Sequence, residues 1–301
     1  MTMMTRRQSQ RQRSPSIVFV RMQRTAPAPF NHPDADLILT TCAPTRFLVS
    51  RLTIVAASDY FRDRLASTPP SSAQNPAVID GLPESDATME TILRLIYPVP
   101  EPLLCDLDDL SDAYNAATKY KMQKAQLTLE RMLLAPRFLE AEPVRIYAIA
   151  RRFGMVNIAE TAAEYALRVS PVWPCYEEFN FIPARDYHTL ATFHRERSLA
   201  AAACLDSSLF SAMLRPCEVC DEPKKRRNPL WWKQYVALCR PVLLETPVST
   251  AVCDPSFVHK IVTSNTCKLC RGSTLEALFP GGAIHKLKQL LDDLPHTMHL
   301  E

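Results

Sequence analysis

Seven of the ten cysteines fall between residues 204 and 270, and four of them form two short-spaced pairs, Cys217-x-x-Cys220 and Cys267-x-x-Cys270. Each pair spans one tight turn, which lets both sulfurs face a single ion at about 2.3 Å. Two such pairs can supply four thiolates to one zinc and leave no open position, so the chemistry expected is structural rather than catalytic. The pairs stand 46 residues apart, against about 15–20 in a simple zinc ribbon. Helices must therefore lie between them, and the metal would staple a helical domain. Cys239, Cys253 and His259 stand in reserve as ligands. The competing reading is four buried thiols packing as small hydrophobes, a frequent fate of cysteine.

No other group has the spacing of a reactive centre. His188 and His194 share one helical stretch but sit on opposite faces, about 240° apart around the axis. They cannot clamp one metal, and Asp186, His188 and Ser198 cannot converge as a triad. These histidines are read as solvated or at the edge of a core. Asp106, Asp108 and Asp109 read as helix-start charges that complement the macrodipole. Five glycines are present, with no G-x-G-x-x-G, no Walker-type loop and no G-x-S-x-G. Phosphate cradles need bare backbone close to the ligand, so nucleotide-binding enzymes of those types are excluded and no catalysis is expected.

A basic run, Lys224-Lys225-Arg226-Arg227, precedes Trp231-Trp232-Lys233. Cations beside aromatics are used by nucleic-acid binders, and the run also resembles a short nuclear-localisation signal. The alternative is a solvated loop before a helix whose Trp231, Tyr235 and Leu238 form a core stripe at i, i+4 and i+7.

The elements that would position these residues are mostly helical. Asp36–Thr40 and Arg46–Val49 flank a turn at Pro44 and read as a hairpin. Ser50 caps a helix to about Ala57, and Tyr60–Leu65 forms another. Ser67–Pro76 is a loop, Ala77–Asp80 a third strand, and Thr88–Tyr97 a helix with Met89, Ile92, Leu93 and Ile96 on one face. Asp106–Asp109 opens a helix, Gln123–Leu134 is the next, and Pro136 ends it. Pro143 starts a helix that Gly154 ends, and Asn157-x-x-Glu160 caps its antiparallel partner. Asp186–Ala203 is a longer helix. Asn228-Pro229 and Asp254-Pro255 each open another, and the second cysteine pair precedes a short helix over Thr274–Phe279. Ile284, Leu287, Leu291 and Leu294 mark the last. The 25 prolines keep these helices short.

Asp36–Leu65 resembles the BTB/POZ domain. That family places Phe-x-Val-His-Lys after a hairpin, then Leu-x-x-x-Ser-x-Tyr-Phe. This chain has Phe47-Leu48-Val49-Ser50-Arg51, then Ile54-x-x-x-Ser58-Asp59-Tyr60-Phe61. Asp108–Met122 ends on the family's Ala-x-Lys-Tyr-x-Met pattern as Ala117-x-Lys119-Tyr120-x-Met122. The run Tyr97-Pro98-Val99-Pro100 is similar to a large fungal branch of the family. The resemblance implies an α+β fold, a small sheet with surrounding helices over 31–135. An all-α extension would follow, BACK-like over 136–215 and cysteine-containing over 216–301. It also implies a non-enzymatic adaptor that dimerises, presents grooves to protein partners, and brings substrates to a cullin-type ubiquitin ligase or engages transcription factors. The first-strand Asp and the Lys of the family line a partner pocket, and Asp36 and Arg51 fall on those positions. The family's His is replaced here by Ser50. A simpler reading is that Asp36 and Arg51 pair and pin the hairpin to the helix.

Charge and hydropathy set outer limits. Residues 1–24 hold six of the 35 basic residues and no acid, so the +3 net charge becomes an acidic body and a basic tail. A disordered tail is expected over 1–30, with a mitochondrial presequence as the alternative. Within it, Ile17–Val20 is a β-prone run suited to exchange across a dimer axis. The longest apolar run, Leu199–Leu205, falls far short of the ~20 residues of a membrane span. No secretory signal is read, so an intracellular protein, cytoplasmic or nuclear, with reduced thiols is expected.

Overall fold

A computed structural model describes residues 23–219, 228–264 and 267–300. It is an α+β structure with one small sheet and many helices. The chain divides into two compact units. The first comprises the described residues up to Leu103 together with Asp112–Gln126, and the second comprises Leu104–Ser111 with everything after Gln126.

In the first unit the central element is the expected hairpin. Strand β2 (Leu37–Thr41) and β3 (Thr45–Val49) pair antiparallel, with Leu37 opposite Val49 and Leu39 opposite Phe47. Strand β4 (Ala77–Leu82) runs parallel to β2 on its other side, and β1 (Arg24–Thr25) runs parallel to β3, giving the order β1-β3-β2-β4. A parallel pair needs a crossover. Here it is α1 (Arg51–Ala57), α2 (Asp59–Leu65) and the loop to Pro76. Helix α3 (Asp86–Ile96) follows, capped by Ser85 and buried along Met89, Ile92, Leu93 and Ile96. Its first residue, Asp86, accepts from the hydroxyls of Thr41 at 2.5 Å and Thr45 at 2.6 Å, so both ends of the hairpin turn are tied to the helix start.

The expected tail over 1–30 is corrected at its end. Residues 24–30 belong to the fold, with Ala26 and Phe30 buried and the Phe30 ring 5.4 Å from Tyr97 and 6.1 Å from Phe47. A polar, proline-containing context hid this, because a two-residue edge strand has no periodicity to detect. Ile17–Val20 lies outside the described residues.

Helix α4 (Leu107–Lys119) and α5 (Gln123–Leu133) each contribute to both units. The opening of α4 goes with the second unit because Arg137 donates to the Leu104 carbonyl at 2.6 Å and Arg145 pairs with Asp108. Pro136, expected only to end the preceding helix, also opens one of its own, α6 (Pro136–Ala141), where a missing N–H in the first turn costs nothing. Helix α7 (Pro143–Phe153) and α8 (Val156–Ala166) form the expected hairpin about Gly154, which is left-handed at φ 72°. The expected Asn157 cap is wrong. Helix α8 begins at Val156, directly after the Gly154 turn, and the Glu160 carboxylate instead accepts from the Leu300 N–H at 3.0 Å.

A 3-10 turn (Glu177–Phe181) leads to α9 (Ala184–Cys204), then α10 (Ser208–Met213), α11 (Leu230–Glu245), α12 (Ser249–Cys253), α13 (Pro255–Ser264), α14 (Lys268–Glu276) and α15 (Ala283–Asp292). The latter helices share an apolar core around Phe210, Trp232, Tyr235, Ile261, Ile284 and Leu287. On α11 the buried stripe is Trp232, Tyr235, Cys239 and Leu243, whereas Leu238 is 49% exposed. The expected Trp231–Tyr235–Leu238 stripe had its last member on the wrong side.

Candidate functional site

The residues that the structure brings together are Cys217, Cys267 and Cys270, whose sulfurs all lie within 4.8 Å of one another. Two separate chain segments build this group. Cys217 follows α10 and is half-buried against the C-terminal core. Cys267 is the cap of α14, held in extended backbone at φ −79° and ψ 122°. Cys270 lies in the first turn of that helix and is 1% exposed. The second pair was expected ahead of a helix over Thr274–Phe279, but the helix begins at Lys268. Thr274 sits mid-helix, its hydroxyl donating to the Cys270 carbonyl at 2.7 Å. Starting the helix between the cysteines places both thiols at its N-terminal end.

The spacing fits a metal–thiolate centre. Tetrahedral zinc with bonds near 2.3 Å sets sulfurs about 3.8 Å apart, and the Cys217 and Cys267 sulfurs are 3.7 Å apart. Cys220 lies outside the described residues. The reserve ligands are elsewhere. Cys239 and Cys253 flank the buried Tyr235 hydroxyl, and burial pushes their thiols up to about 12 and about 11. Such thiols are protonated and act as small hydrophobes. His259 is exposed, and among the described residues it does not join the three sulfurs.

Asp36 and Arg51 do meet, but not side chain to side chain. The Asp36 carboxylate accepts from the Arg51 backbone N–H at 2.7 Å, which fastens the start of β2 to the start of α1. The Arg51 guanidinium turns instead to the crossover loop. It donates to the carbonyls of Leu65 (2.7 Å), Thr68 (3.0 Å) and Pro69 (2.7 Å) and to the Ser71 hydroxyl (3.3 Å). Both terminal nitrogens are thereby engaged within the chain. Ser50 caps α1, and its N–H donates to the Tyr97 hydroxyl at 2.8 Å.

The remaining candidates separate cleanly. His188 is exposed, whereas His194 is 1% exposed, with Nε2 3.2 Å from the Val169 carbonyl and Nδ1 3.4 Å from Ser198 Oγ. Burial lowers the His194 pKa. Asp106 caps α4 through the Asp109 N–H at 2.8 Å. Trp231 and Trp232 are buried, which removes their faces from any stacking on bases, and Lys224–Arg227 lie outside the described residues. No helix among the described residues is long and apolar enough to cross a membrane.

Sequence reasoning missed Arg197. This side chain is 7% exposed and donates to three carbonyls, Leu291 at 2.7 Å, Pro295 at 3.0 Å and Pro247 at 3.3 Å. It borders a cavity of about 400 Å³ with Arg168, Ser249 and Asp292. Its signal was positional, because it occupies the same face of α9 as the buried Leu190, His194 and Ala201.

No protein-family model matches this chain, and no curated protein matches it.

Proposed function

We propose that this protein is a non-enzymatic interaction adaptor, with a BTB/POZ-like first unit and a helical second unit stapled by zinc at Cys217, Cys220, Cys267 and Cys270. One observation supports the first part. The two separated stretches that carry the resemblance interlock, because Ser58 donates to the Tyr120 carbonyl at 2.5 Å and the Phe61 ring stacks on Tyr120 at 4.9 Å. A serine-aromatic motif and an Ala-x-Lys-Tyr-x-Met motif that meet across 62 positions act as parts of one design. The zinc reading is supported by the sulfur spacing and by the three thiols gathered among the described residues, a donor type that suits zinc. Partners on this reading are proteins, among them a second copy of the chain and a cullin-type ligase or a transcription factor.

The test is light scattering and DNA retention on the full-length protein. Self-association to about twice the 34.0 kDa chain mass, with no salt-sensitive retention on DNA, is the expected result. A strict monomer that DNA retains at low salt and releases at high salt would overturn the adaptor in favour of a nucleic-acid contact through 224–233. Metal analysis of protein purified without chelator should find about one zinc per chain.

A further inference from the structure

We propose that Cys217 and Cys267 are an oxidation-sensitive pair, joined as a disulfide by peroxide with loss of any metal the site holds. This rests on the zinc reading for the metal but not for the pair. The geometry selects these two sulfurs. They stand 3.7 Å apart, and a disulfide needs about 2.05 Å, so the bond requires the sulfurs to approach by about 1.7 Å. Both are half-buried and therefore open to a small oxidant, whereas Cys270 is 1% exposed and shielded. Among the described residues no cysteine is in a disulfide.

The chemistry balances with one peroxide per pair. One thiolate attacks a peroxide oxygen, the O–O bond breaks, and hydroxide leaves with a sulfenic acid on that sulfur. The second thiolate attacks this sulfur, the S–S bond forms, and the S–O bond breaks to release a second hydroxide. Two protons from solvent convert both hydroxides to water. The two sulfurs together lose two electrons, which the peroxide gains. With these two ligands consumed, at most Cys220 and Cys270 remain, and two thiolates do not retain a tetrahedral ion.

The experiment uses the full-length chain, zinc-loaded and metal-free, treated with hydrogen peroxide and then mapped by non-reducing peptide mass spectrometry. Released zinc is read in parallel with a chromogenic chelator. The expected result is a Cys217–Cys267 cross-linked peptide in both samples, zinc release that tracks it in the loaded one, and reversal of the cross-link by a thiol reductant. Cys217→Ser should abolish the cross-link while the exposed Cys42, Cys105 and Cys175 oxidise as before. A Cys267–Cys270 disulfide, or sulfinic acid without a cross-link, would overturn the pair. Failure of zinc to load at all, with the cross-link still forming in metal-free protein, would overturn the zinc reading and leave the pair standing.

Discussion

At the scale of single residues, a few buried or half-buried polar groups hold otherwise unsupported segments. Arg51 gathers three carbonyls and a hydroxyl from the 65–71 stretch, a loop rich in Pro and Ser with no ladder of its own. Arg51→Gln should therefore free that loop, cost about 1–3 kcal/mol, and produce a new protease-sensitive site there; urea unfolding and limited proteolysis read both. Position 51 was legible in the sequence, but its task was not, because a guanidinium that folds back on a loop looks the same in sequence as one that faces a partner. His194 carries a pH dependence. Its folded pKa is lowered by burial, so below the unfolded value of about 6.5 the unfolded chain binds a proton that the native chain refuses. The stabilisation is complete above that pH and is lost as pH falls toward the depressed native value. Chemical denaturation at a series of pH values should show a slope of up to about 1.4 kcal/mol per unit in that window, flattened in His194→Gln.

At the scale of elements, two glycines end or start helices for different reasons, and substitution should separate them. Gly154 is left-handed at φ 72° with nothing within 4 Å of an added Cβ. Gly154→Ala then meets backbone strain alone, about 1–2 kcal/mol. Gly282 has ordinary backbone, but its Cβ would lie 2.4 Å from the Ala277 carbonyl oxygen. That oxygen already accepts the N–H groups of Ile284 and His285 at 3.0 and 3.1 Å, so it cannot yield without undoing the start of α15. Gly282→Ala should cost more than Gly154→Ala, with thermal melts ranking the two. The hairpin, the crossover helices, the α7–α8 pair and the last helix were all readable from alternation, caps and Pro/Gly punctuation. What escaped were elements too short to carry a period, among them the Arg24–Thr25 strand, α6, the 3-10 turn at Glu177–Phe181, α10, α12 and the start of α14. The cysteine spacing named three residues that the fold gathers, but the meeting of Cys217 with Cys267 across 50 positions is a tertiary contact. Which other thiols would stay away depended on the core around Tyr235, a tertiary fact.

At the scale of the whole molecule, metal removal should act regionally. The three sulfurs tie the segment after α10 to the start of α14, both within the second unit. Chelator should raise amide exchange over α11, α13 and α14 while leaving the β2–β3 hairpin and α3 protected. Hydrogen exchange with mass readout resolves this, and uniform loosening of both units would count against a local staple.

The chain's itinerary through its two units has a consequence for inheritance. It leaves the first unit after Leu103, spends Leu104–Ser111 in the second, returns for Asp112–Gln126, and departs again. A gene junction at any single codon therefore cannot hand over one unit intact. Cut before 104 and the recipient lacks Tyr120, on which Ser58 and Phe61 rest. Cut after 126 and it takes Leu104 and Asp108 without the arginines that hold them. Joining either unit to another protein through one junction thus separates residues that hold each other within a unit.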